Sequence, residues 1–128
     1  MAENVGKTQA AYKELTVWQK SMLFANAVIS VTENLDTDRK HYHLVEQLEA
    51  AATSVPMNIA EGKGRYSRKE FIHFLHIARG SLFEAMTLIE LFEMRNWVKP
   101  ETRQSIYTQA DEIGKMINGL IKSLADSS

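Results

Sequence analysis

Residues 67–95 read SRKEFIHFLHIARGSLFEAMTLIELFEMR. Within this stretch Phe71, Leu75, Ala78, Leu82, Ala85, Met86, Ile89 and Phe92 recur at spacings of three and four. That period keeps one face of an α-helix apolar, whereas a half-buried strand needs strict alternation. Ser67 followed by Glu70 has the spacing of a capping box, so the helix is predicted to begin there and to stop near Asn96.

Working outward, the same period recurs on both sides. Downstream, Pro100 suits the first turn of another helix, because its missing N–H would have no partner there. Ile106, Ala110, Ile113, Ile117, Leu120 and Leu124 form the inner face of that helix. Upstream, Leu44, Leu48, Ala51, Ala52, Val55 and Ile59 share a face, and Asp36, Thr37 and Asp38 supply a turn and cap before it. Pro56 interrupts this pattern, removing one backbone donor and clashing with the carbonyl four residues back, so a kink or a break near Thr53 is expected, preferably a kink. Gly62 suits a left-handed C′ position, and Lys63 to Tyr66 form a tight connection. The first helix is predicted over Val17 to Asn34, with Thr16 and Gln19 as its capping box. Trp18, Met22, Ala25, Ile29 and Thr32 make one stripe on it, and Phe24, Val28, Val31 and Leu35 make a second. That apolar face is wider than a monomeric bundle needs and points to burial against another subunit. Four helices with short connections give an all-α, antiparallel up-down four-helix bundle over residues 13–128, with a flexible leader over Met1–Tyr12.

The chain has 128 residues, a length at which one core without staples is feasible. It is 45% hydrophobic and 24% charged, as in a packed globular protein rather than a disordered one. It contains no cysteine, which excludes disulfides, thiolate nucleophiles and sulfur-ligated metals and agrees with a reducing cytoplasm. The most hydrophobic stretch, Met22 to Val31, is far shorter than the roughly 18 apolar residues of a membrane span. Net charge is -1 but unevenly placed: residues 63–83 carry five Lys/Arg against Glu70 alone, giving +4. One basic segment sits in an otherwise mildly acidic chain.

That segment is the candidate binding site. Lys63, Arg65, Arg68 and Lys69 cluster where a helix begins and unpaired amides already favour an anion, and His73, His76 and Arg79 follow. A phosphate backbone could be held there; alternatively Arg65 and Arg79 pair with carboxylates such as Glu61 and Glu84 while the lysines only solvate a surface. Glu70 and His73 have the Glu-x-x-His spacing of di-iron bundles, but no second such pair exists and Glu70 is already accounted for as a cap, so no metal site is expected. His41 and His43, two apart, do not share a helical face. There is no nucleophile elbow, phosphate loop or dinucleotide fingerprint, so neither an enzyme activity, a cofactor nor a small-molecule substrate is expected. Asn58 and Glu61, beside Pro56, are expected to satisfy freed backbone groups. Gly80 costs about 1 kcal/mol relative to alanine inside a helix, which a closely packed neighbouring helix would explain.

Several of these residues form one ordered set. Leu15 to Lys20, Gln47-Leu48, Ala51 through Gly62 with Asn58-Ile59-Ala60-Glu61-Gly62 at its centre, Gly64-Arg65, Phe71 to Leu75, Ile77 to Leu82 and Met116 to Leu124 occur in order. This set resembles the four-helix-bundle family encoded in intervening sequences of bacterial 23S ribosomal RNA genes, over roughly residues 12–125. The resemblance implies an up-down bundle assembled as a ring-like homopentamer. A related branch, the accessory variability determinants of diversity-generating retroelements, forms similar pentamers that bind nucleic acid and a reverse transcriptase. The expectation is a non-enzymatic, oligomeric, cytoplasmic module that binds RNA or an RNA-bound protein through Lys63, Arg65, Arg68, Lys69 and Arg79. The alternative is a protein–protein scaffold with no nucleic-acid binding.

Overall fold

The computed structural model describes residues 11–35, 37 and 41–127. A 3-10 turn, Ala11–Glu14, precedes four α-helices: α1, Thr16–Glu33; α2, Tyr42–Lys63; α3, Arg68–Met94; and α4, Pro100–Asp126. No strand occurs among the described residues. Each helix packs on the next in sequence and α4 returns to α1, so the four enclose one core as a bundle. Hydrogen bonds pair Arg68 with Ser127, Arg79 with Asn118, Met86 with Tyr107 and Glu93 with Arg103. Numbers fall along α4 as they rise along α3, so these two helices run antiparallel.

The core is filled from all four helices. Phe24 and Val28 of α1, Leu48, Val55 and Ile59 of α2, Leu75, Leu82, Ile89 and Phe92 of α3, and Ile106, Ile113 and Ile117 of α4 are fully buried. Burial of each contributes roughly 1.5–3 kcal/mol. Ala51, Ala52, Ala78 and Ala85 sit between them and keep the axes close. Ser21 is buried as well, and its hydroxyl donates to the Val17 carbonyl at 2.7 Å, so no polar atom is stranded there.

The ends of the helices follow local chemistry, with two departures from expectation. Ser67 caps α3 by accepting from the Glu70 N–H at 3.1 Å. At the other end Asn96 adopts a left-handed conformation, φ 63°. Its N–H donates to Glu93 and the Trp97 N–H to Phe92, both at 2.9 Å, while the Trp97 and Phe92 rings meet at 5.0 Å. This is a Schellman motif with its apolar contact. Pro100 opens α4, as its missing donor predicts. The capping box at Thr16 does not form: α1 already includes Thr16, and the Gln19 side chain donates instead to the Lys13 carbonyl of the preceding turn at 2.7 Å. Gly62 is not a left-handed cap, since no glycine has positive φ among the described residues. Of the kink or break expected near Thr53, with the kink preferred, the break does not occur: α2 runs continuously from Tyr42 to Lys63 with Pro56 buried inside it.

Of the leader expected over Met1–Tyr12, residues 1–10 lie outside the described residues. Ala11 and Tyr12 already belong to the 3-10 turn, and the Tyr12 ring meets Trp18 edge-on at 5.1 Å. Asp36 and Asp38, expected to turn and cap the chain, also lie outside the described residues. No helix among the described residues is long and apolar enough to cross a membrane.

Candidate nucleic-acid interface

The basic segment sits where α2 ends and α3 begins, and Gly62 brings these two ends together. A Cβ placed on Gly62 would lie 2.8 Å from the Cβ of Phe74 and 2.9 Å from Cδ1 of Phe71, closer than real side chains approach. Only a glycine allows the last turn of α2 to rest on those two rings. The chain then reverses through Gly64, Arg65 and Tyr66, with the Arg65 N–H bound to the Gly62 carbonyl at 3.1 Å.

Lys63, Arg65, Arg68 and Lys69 are all exposed on this turn and the helix start that follows it. Arg65 is held twice: its guanidinium binds Glu61 at 2.5 Å and lies 5.0 Å over the Phe74 ring. Arg68 donates to the Ser127 carbonyl at 2.5 Å, tying the start of α3 to the end of α4 and placing a cation where a helix carries partial negative charge. Lys63 and Lys69 have no partner among the described residues. Arg79 does not join this group, because it lies eleven residues beyond Arg68, about 16 Å along the axis. Its guanidinium contacts Asn118 at 2.6 Å and the His76 ring nitrogen at 2.9 Å, not the expected Glu84.

The residues expected to be structural divide differently. The Asn58 side-chain amide donates to both the carbonyl and the hydroxyl of Ser54 at 2.8 Å, and Ser81 of α3 donates to the same hydroxyl at 2.9 Å. These contacts link α2 to α3 two residues from Pro56. Glu61 contributes to the Arg65 ion pair, not to the backbone. Among the described residues Gly80 has nothing within 4 Å of where a Cβ would stand and is exposed, so none of them supplies the neighbouring helix expected there. Glu70 and His73 gain no further ligands: no group of three or more His, Asp or Glu able to hold a metal occurs among the described residues.

Residues 13–119 match the family model of the 23S rRNA-intervening sequence protein. The chain belongs to that family. A solved structure from Bacteroides thetaiotaomicron, described as a protein of unknown function from the S23 ribosomal protein family, is 29% identical. It superposes with a TM-score of 0.78 over 84% of this chain and 99% of its own. No curated protein matches the chain.

Two features of the chain were not singled out from sequence. Tyr66, read only as part of a connection, projects from the middle of the basic turn with its ring fully exposed. The second is a polar cluster between α3 and α4, where Arg103 binds Glu93 at 2.5 Å and lies 5.2 Å over the Tyr107 ring. The Tyr107 hydroxyl donates to Glu90 at 2.5 Å. Desolvation, helped by the Glu90 carboxylate that the phenol hydrogen serves, pushes the Tyr107 pKa up to about 12. Arg103 and Tyr107 are four apart and Glu90 and Glu93 three apart, but nothing in either helix alone says which residues of α3 face which of α4.

Proposed function

We propose that the chain is a non-enzymatic interaction module that self-associates through outward helix faces and presents its basic end to RNA or to an RNA-bound protein. The observation that carries this reading is the outer face of α3. Gly80, Phe83, Thr87, Leu91 and Met94 follow one another at spacings of three and four, all exposed, with Phe83 at 55% and Met94 at 73%. Ile77 stands beside them, and Leu23 of α1 and Met57 of α2, at 66% and 67%, add to the uncovered apolar surface. A glycine notch among large apolar side chains on an outward face suits close approach of another helix. Family membership makes a ring-like homopentamer the assembly to test.

The RNA part of the reading rests on the exposed cations at the α2–α3 turn within the +4 segment. They are solvent-facing, unlike the desolvated groups that catalysis tunes, which supports binding over chemistry. The ion pair of Arg65 with Glu61 is more than 40% exposed on both sides and holds the arginine only weakly, so a phosphate can displace the carboxylate. A cysteine-free chain supports a reducing compartment such as the cytoplasm. The second reading, a protein scaffold without nucleic acid, is favoured by the contacts that Arg65 and Arg79 make within the chain. Binding of structured ribosomal RNA at low and moderate salt separates the two. The RNA reading expects salt-sensitive binding that Lys63→Glu, Arg68→Glu and Lys69→Glu together abolish; no binding at low salt leaves the scaffold.

A further inference from the structure

Tyr66 is the most exposed large apolar side chain of the described residues, with a relative exposure of 106%. It makes no hydrogen bond and no ring contact among them. A ring standing wholly in water forgoes the burial that aromatic side chains usually contribute to a fold. Its neighbours in sequence are cations on both sides: Lys63 and Arg65 before it, Arg68 and Lys69 after it. A second flat surface lies close by, since the Arg65 guanidinium is stacked over Phe74 at 5.0 Å.

Cations alone serve the phosphates of a duplex and of a single strand equally well. A free ring among them does not, because the bases of a duplex already stack on each other and present no face along its length. A single strand can turn an unpaired base out onto such a ring while its phosphates run past the lysines and arginines. We propose that Tyr66 is a stacking platform for an unpaired base and that the RNA bound at this end is single-stranded. This rests on the RNA reading given above and adds to it both a residue and a strand form. The four cations bind the backbone; Tyr66 supplies preference for unpaired nucleotides; Gly62 holds the turn in place by letting α2 rest on Phe71 and Phe74.

The test uses the full chain with fluorescence anisotropy at one fixed salt concentration. The probes are an unstructured single-stranded RNA of about 12 nucleotides and the blunt duplex of the same sequence. The wild type is expected to prefer the single strand, Tyr66→Ala to weaken that binding on the order of tenfold without changing duplex binding, and Tyr66→Trp to retain it. Tyr66→Ala binding the single strand as well as wild type, or equal affinity of wild type for both probes, overturns the stacking proposal. The basic-end reading still stands in that case if the triple glutamate variant loses binding. Failure of the wild type to bind either probe overturns the stacking proposal, and failure to bind structured ribosomal RNA at low salt as well overturns the RNA reading with it.

Discussion

At the scale of single residues, two glycines in neighbouring helices have opposite reasons to be there. Gly62 is required by its own chain, because any Cβ would drive into Phe71 and Phe74. Gly62→Ala is expected to destabilise the fold by about 1–3 kcal/mol, the range for overpacking, measured by urea unfolding at fixed protomer concentration. Unchanged stability would show that α2 and α3 can separate there without cost. Gly80 has no such neighbour, and the space beside it opens outward. Tyr107 gives a pH-dependent prediction. Its hydroxyl stays protonated in the fold up to about pH 12, against an ordinary value of 10.0. In the unfolded chain it ionises first, so its contribution to stability is intact below pH 10 and is lost as pH rises towards 12. Tyr107→Phe is expected to flatten the alkaline decline of thermal stability across that window relative to wild type; parallel curves would remove Tyr107 from the explanation.

At the scale of elements, the ends of the helices are where local sequence and tertiary context compete. The C-terminus of α3 is local: Asn96 accepts a left-handed backbone, and Trp97 packs back on Phe92. Asn96→Ala is expected to cost about 1 kcal/mol, since a Cβ without a compensating side-chain amide disfavours that conformation, whereas Asn96→Gly costs nothing or stabilises. Equal unfolding midpoints for the two variants would contradict the motif. The inner faces of α2, α3 and α4 were legible from period alone, because a buried stripe at spacings of three and four has one geometric solution. Leu88 was missed because it borders that stripe, and it is buried with it. Context overruled the rest. The Thr16 and Gln19 spacing fits a capping box, but the 3-10 turn before it offers Gln19 a carbonyl first. Gly62, expected as a left-handed cap, is fixed instead by two phenylalanines that lie nine and twelve residues away in sequence. In the basic segment the charges could be read from sequence, as could the pairing of Arg65 with Glu61. The partners of Arg68 and Arg79, Ser127 and Asn118, are 59 and 39 residues distant and depend on how α4 lies against α3.

At the scale of the whole molecule, the surface is divided by chemistry. One end carries exposed cations around Tyr66, and the outer face of α3 carries Phe83, Leu91 and Met94 with the Gly80 notch between apolar neighbours. The broad apolar face foreseen on α1 is only partly consumed by the core: Phe24, Ala25 and Val28 are buried, while Met22 remains exposed, and Leu23, outside the foreseen stripes, is exposed beside it. This uncovered apolar surface is what the proposed self-association would bury; in such an assembly several copies would set several basic ends side by side, and each would add to the binding of one RNA. The most direct test of that account is native mass spectrometry of the wild type and of Phe83→Glu. The account predicts a wild-type particle at five times the 14.6 kDa protomer, and a Phe83→Glu protein that is folded by circular dichroism but shifted towards the single protomer. A wild-type protein that remains at 14.6 kDa would contradict it.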